Sequence, residues 1–143
     1  VPVKGTIPRG FKPYAYENTT AGYELAGQEL KNPYPYSEEI LEEGKVLFSK
    51  YCMHCHGENG EGDGAVSNTS DFINPSPYSS QAMKNLPVGK MYHTIYFGKG
   101  MMGSHASQIN EEERWKIIHY IVELQDPGAR KKALESNQTA ITQ

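Results

Sequence analysis

Cys52-Met53-His54-Cys55-His56 sets two thiols one helical turn apart and an imidazole directly after the second. Thiols at that spacing can add to the two vinyl groups on one porphyrin edge, and the imidazole that follows then lies under the iron as an axial ligand. The C-x-x-C-H pattern therefore implies one covalent c-type haem, bonded to Cys52 and Cys55 and ligated by His56. Three rival readings use the same residues. A zinc site wants four nitrogen or sulfur ligands, and two thiols would have to draw on His54, His56, His93, His105 or His119. A thioredoxin-type redox pair needs a βαβ setting, which this chain lacks. A disulfide between Cys52 and Cys55 would leave the Gly-rich stretch that follows them unexplained.

The sixth iron position decides what such a haem does. Downstream candidates are Met83, Met91, Met101, Met102, His93, His105 and His119. Met101-Met102 stands apart because it follows Gly98-Lys99-Gly100 and precedes Gly103, a flexible loop that can fold over a haem and present a thioether. A thioether favours ferrous iron, raises the potential relative to two imidazoles, and closes the site to O₂ and peroxide.

Helices must position these groups. Ser37, followed by Glu38 and Glu39, reads as an N-cap, and Ile40, Gly44, Leu47, Phe48 and Tyr51 then fall on one helical face. Four Gly between 57 and 64, and the stretch Asn74 to Tyr78 with Pro75 and Pro77, are loops. A shorter helix is expected over 89–97, stopped by Gly98. Asn110 and Glu113 form a capping-box pattern for a last helix that buries Trp115, Ile118, Ile121 and Val122 and stops at Pro127-Gly128. No strand pattern competes, so the fold is read as mostly α.

Residues 1–36 hold five of the nine Pro and five of the ten Tyr. They are read as an extended arm without helix or strand, laid on a partner through its tyrosines, or else as a loose, processed terminus. The expected division is an arm over 1–36, a haem domain over 37–126 and a tail over 127–143. These segments carry +1, −6 and +2 of the net −3. The acidic middle reads as solubility and helix-end chemistry, with a surface for a basic partner as the alternative. No basic stripe suggests nucleic acid. No apolar run reaches the roughly 20 residues of a membrane span, and the start at Val1 without Met is read as a leader either removed or lying outside this sequence.

Residues 37–125 resemble class I cytochromes c. Cys55-His56-Gly57 with Gly60, Gly62, Asp63 and Gly64 is similar to their C-H-G-x-x-G-x-G-D-G loop, and Gly98 to Met102, Trp115 and Tyr120 match their distal end. The resemblance implies a first helix crossing the last beside the haem, with Gly44 and Phe48 against Trp115. It implies Met102 as sixth ligand by alignment with a Met-Pro pattern. Gly103 stands where that Pro would be and His105 where an aromatic would be, so Met101 and His105 stay open. It also implies that Pro75 or Pro77 accepts the His56 ring N–H.

More narrowly, Gly5-Thr6-Ile7-Pro8-Arg9-Gly10 and Ser104-His105-Ala106-Ser107-Gln108-Ile109 resemble the monohaem cytochrome subunit of alternative complex III, a quinol-oxidising membrane complex of bacteria. That likeness implies an electron carrier, not an enzyme by itself. It implies a multihaem subunit as donor, an oxidase or soluble cytochrome as acceptor, and a lipid anchor upstream of Val1. The place would be the periplasmic side of the inner membrane. A free periplasmic cytochrome, and a haem enzyme or gas sensor with a labile sixth ligand, are the alternatives.

Overall fold

The computed structural model describes residues 14–66, 74–100 and 102–142, with side chains up to residue 137. Among these residues seven helices follow one another: α1 (Thr20–Glu29), α2 (Glu38–Tyr51), α3 (Met53–His56), α4 (Gln81–Lys84), α5 (Val88–Phe97), α6 (Glu111–Gln125) and α7 (Ala129–Thr142). Among the described residues there is no strand, only an isolated bridge between Lys99 and Met102. The fold is mostly α, as the periodicity requires.

The helix ends form where the sequence places them. Ser37 Oγ accepts from the Ile40 N–H at 3.1 Å. At α6, Asn110 Oδ1 accepts from the Glu113 N–H at 2.9 Å while Glu113 Oε1 accepts from the Asn110 N–H at 3.0 Å. Each such cap contributes about 1 kcal/mol by satisfying donors the helix leaves open. Gly98 ends α5 with φ of 84°, and Asp126 ends α6 before Pro127.

The principal crossing is α2 over α6. At Gly44 the two backbones touch: a methyl group there would run into the Lys116 carbonyl. Phe48, 1% exposed, meets Tyr120 edge-on with centroids 5.2 Å apart. Lys116 Nζ spans the crossing, 2.5 Å from Glu43 and 3.1 Å from Glu112. The resemblance had paired Gly44 and Phe48 with Trp115. Trp115 instead packs on Tyr92 of α5, centroids 4.6 Å apart, because its register on α6 turns it toward α5.

The expected helix-free arm needs correcting. Within it, Thr20–Glu29 is helical, capped by Thr19 Oγ1 accepting from the Gly22 N–H at 2.9 Å. This helix lies on α5, where Gly89 is closed in by the Ala26 carbonyl. Tyr14 stacks on Tyr96 at 4.6 Å, touches Tyr92 and Phe97, and is hydrogen-bonded with His93 Nδ1 at 2.9 Å. Further on, Asn32 Nδ2 donates to the Trp115 carbonyl at 3.2 Å. Residues 14–36 are thus laid on the chain's own helices. The Gly5–Gly10 stretch lies outside the described residues.

The 127–143 segment is also helical through α7. Arg130 docks it: Nη1 is bonded with His119 Nδ1 at 2.7 Å, Nη2 donates to the His119 carbonyl at 2.5 Å, and the guanidinium stands 4.4 Å over the Tyr36 ring.

Candidate functional site

The C-x-x-C-H residues occupy α3, a single turn entered from α2 through Cys52. A helix this short leaves its carbonyls without partners of their own. The glycine loop behind it supplies them. Gly57 N–H donates to the Met53 carbonyl at 2.9 Å, Val66 to His54 at 3.2 Å, Gly64 to Cys55 at 3.3 Å and Gly62 to His56 at 2.8 Å. The loop is therefore the C-terminal cap of the motif helix, which fixes the directions of both thiols and of the imidazole.

Both thiols are free, Cys52 buried and Cys55 half-buried. Burial, followed by the neighbouring Cys55 charge, pushes the Cys52 thiol up to about 12. The His56 ring is stacked on Tyr78, centroids 5.0 Å apart and planes within 14°, with Phe48 at 6.5 Å. Tyr78 is held by its own N–H donating to the Gly60 carbonyl at 2.9 Å. Burial, then the charge of His105, pulls His56 down to about 4, so its imidazole is neutral and has a lone pair to offer. Its Nδ1 is buried without a hydrogen-bond partner. A proline carbonyl was expected to accept from this ring, yet the Pro77 carbonyl accepts from the Ser80 N–H and the Pro75 carbonyl rests against Gly62.

Further candidate ligands come from the loop between α5 and α6. Lys99 and Met102 exchange backbone hydrogen bonds at 2.9 and 3.0 Å, closing a tight turn. The half-buried Met102 packs against the core and also borders a cavity of about 720 Å³ between α1 and the end of α5. Met101 lies outside the described residues. His105 donates its N–H to the Ile95 carbonyl at 3.0 Å, and its ring Nδ1 is buried and unpartnered. Arg114, 6% exposed, ties the same loop down: it donates to the carbonyls of Ile109 at 2.6 Å and Ala106 at 3.1 Å, and to the Tyr92 hydroxyl at 3.0 Å.

The other candidate ligands are occupied elsewhere. His93 pairs with Tyr14, and His119 is bonded at both nitrogens, to the Tyr34 carbonyl and to Arg130. Met91 is buried among core side chains and Met83 packs against them. Among the described residues no three His, Cys, Asp or Glu side chains cluster as a metal site. The sequence reading had missed Tyr78 and Arg114. A Tyr in a Pro-rich loop and an Arg on a helix both read as surface, and only a buried aromatic tally for the proximal wall would have singled out Tyr78.

Residues 41–125, more than half of the sequence, match the cytochrome c family. The chain belongs to that family. No curated protein is similar enough in sequence to match it. Two solved structures carry the likeness further. One is a chain of the Kuenenia stuttgartiensis reducing HAO-like protein complex, 25% identical, with a TM-score of 0.57 over 64% of this chain and 46% of that one. The present chain thus spans under half of that relative's length. The other is cytochrome cL of Methylophaga aminisulfidivorans, 24% identical, with a TM-score of 0.51 over 76% of this chain and 68% of that one; it supports the fold alone.

Cytochromes of this family hold a covalent c-type haem, and the residues here fit one. Two free thiols sit one turn apart, a half-buried imidazole held neutral by its surroundings follows them, and Nδ1 of both His56 and His105 is buried without a partner. Buried polar atoms are nearly always paired. With Nδ1 of His56 as the ring N–H, its other nitrogen would supply the lone pair to a haem iron, and the buried Nδ1 of His105 is a second ring nitrogen without a partner.

Proposed function

We propose that the chain is a single-electron carrier with one haem bonded to Cys52 and Cys55 and ligated by His56 and Met102, working as a subunit of a membrane quinol-oxidising respiratory complex. The haem supplies a one-electron iron couple. The chain's residues do the rest. The capped α3 turn fixes His56, Tyr78 and Phe48 exclude water from its ring, and Arg114 holds the wall that carries Met102. The observation that carries this reading is the free Cys52/Cys55 pair followed directly by a half-buried His56 whose ring stacks on Tyr78.

The complex rests on the Gly5–Gly10 and Ser104–Ile109 resemblances to the alternative complex III cytochrome, and a neighbour's membership of a protein complex accords with it. In that setting the donor is a multihaem subunit and the acceptor an oxidase or soluble cytochrome. The chain then sits on the periplasmic side of the inner membrane, tethered by a lipid upstream of Val1. Among the described residues no helix is long and apolar enough to cross a membrane. After acid–acetone extraction the intact mass should exceed the polypeptide by a single haem; the apo mass would end the reading. Extraction from native membranes should bring quinol-oxidising activity with the cytochrome, and recovery of the chain alone without detergent would favour a free periplasmic carrier.

A further inference from the structure

Ligation by His56 and Met102 would use one imidazole, yet the site holds two with an unpartnered buried nitrogen. The second, His105, stands three residues after Met102 on the same loop. It is also the better-anchored donor of the distal wall. Its N–H donates to Ile95 at the end of α5, its carbonyl accepts from Gln108 at 3.1 Å and Ile109 at 3.1 Å, and Arg114 clamps the carbonyls of Ala106 and Ile109 beside it. Met102 hangs on a glycine turn: Gly100 has φ of 59°, and neither Gly100 nor Gly103 has a neighbour that a side chain would touch. Met102 also borders the outer cavity lined by Tyr23, Phe97 and Lys99, which gives its side chain somewhere to go. A rigid nitrogen donor and a movable thioether therefore share one wall.

We propose that His105 is a reserve ligand of the same haem iron, taking the sixth position in the ferric state when the thioether leaves it. The inference rests on the proposed haem at Cys52, Cys55 and His56. The chemistry balances without a co-reactant: one dative bond to sulfur breaks, one to an imidazole lone pair forms, and no electron is gained or lost in the exchange. The direction follows from donor character, because thioether ligation favours ferrous iron and a second imidazole favours ferric iron. Oxidation would then shift the balance toward His105 and reduction toward Met102. Such a device lowers the driving force for giving up an electron in one state and for taking it back in the other.

The test removes both thioethers, since Met101 is the neighbour of Met102. The holoprotein carrying Met101→Ala and Met102→Ala is compared with the same protein carrying His105→Phe in addition. The expected result is a low-spin, two-imidazole ferric spectrum in the first and a high-spin or water-ligated one in the second. Added free imidazole should bind the first at least tenfold more weakly, because it must displace His105. A high-spin spectrum in the first variant, with imidazole affinity equal to the second, overturns the proposal. If the alanine changes prevent folding, Leu at both positions carries the same comparison. Absence of haem from the unmodified protein would instead defeat the haem reading, and the mass measurement separates the two failures.

Discussion

Replacing Tyr14 by Ala tests whether the N-terminal segment belongs to the folded domain or waits for a partner. The ring is half-buried, stacked on Tyr96 at 4.6 Å and set against Tyr92 at 5.4 Å, and its hydroxyl is hydrogen-bonded with His93 Nδ1 at 2.9 Å. A fully buried aromatic lost to Ala costs about 3–5 kcal/mol, so a half-buried one costs roughly 2. Losing the partner of His93, which is 4% exposed, adds about 1 kcal/mol. The sum is about 3 kcal/mol. Unfolding entropy of about 2.1 cal/mol/K per residue makes each kcal/mol worth roughly 3 °C in a chain of this length. Thermal melting of the haem-bearing protein should therefore fall by about 9 °C for Tyr14→Ala. Tyr14→Phe keeps the stack and should lose only about 3 °C by the same conversion. The haem spectrum should be unchanged in both, since neither change touches the α3 turn. A melt for Tyr14→Ala within 1 °C or so of the parent would refute the reasoning and return Tyr14 to a partner surface.

Three further outcomes follow from other contacts. Arg114→Met should lower stability by about 3 kcal/mol or more and weaken any far-red thioether–ferric band, because charge-assisted bonds to two carbonyls and a hydroxyl are lost; Lys should restore part of both. Gly44→Ala should destabilise, although Ala is the better helix former by about 1 kcal/mol, because the methyl meets backbone at Lys116; a raised melting temperature would mean the crossing yields freely. His119 is held neutral by burial, and the Arg130 charge acts in the same direction against the Tyr34 carbonyl. Its folded pKa is depressed, so its contribution is complete above the ordinary imidazole value of about 6.5 and is lost as pH falls below that toward the folded value. Protonation would turn Nδ1 from acceptor to donor against Arg130, with Glu123 and Tyr36 the other polar groups facing that guanidinium. Melts should drop between pH 7 and 5, and His119→Gln should flatten part of that slope.

How much of this was legible beforehand depended on the kind of signal. Helices α2, α5 and α6 announced themselves through apolar periodicity and through Ser37, Gly98 and the Asn110–Glu113 pair, whose roles are local. Helix α1 did not, because it buries small residues, Ala26 and Gly27 against α5 and Gly22 against the Glu17 backbone. Gly and Ala give no hydrophobic periodicity, and a stretch rich in Pro and Tyr on either side reads as extended. Helix α7 is polar and is held by polar contacts, Arg130 on His119 and Lys131 on Glu38, so periodicity had nothing to report. At the site, C-x-x-C-H is a covalent requirement written in consecutive residues and was fully readable. Tyr78 and Arg114 act across 22 positions, on His56 and Tyr92 respectively, and distance in sequence hid both.

The two walls of the site also differ in how the sequence secures them. On the proximal side each carbonyl from Met53 to His56 has its own loop N–H, so moving the imidazole means breaking several backbone bonds at once. On the distal side the glycine turn that bears Met102 is held by two backbone bonds between Lys99 and Met102, and the stronger restraints, Ile95, Tyr96 and Arg114, act beyond it on residues 104–109. Ser104 Oγ donates to the Tyr96 carbonyl at 2.5 Å, so the rigid section of the wall begins two residues after Met102. On the proposed ligation, a small change in backbone energy at the glycine turn would therefore shift which side chain reaches the iron.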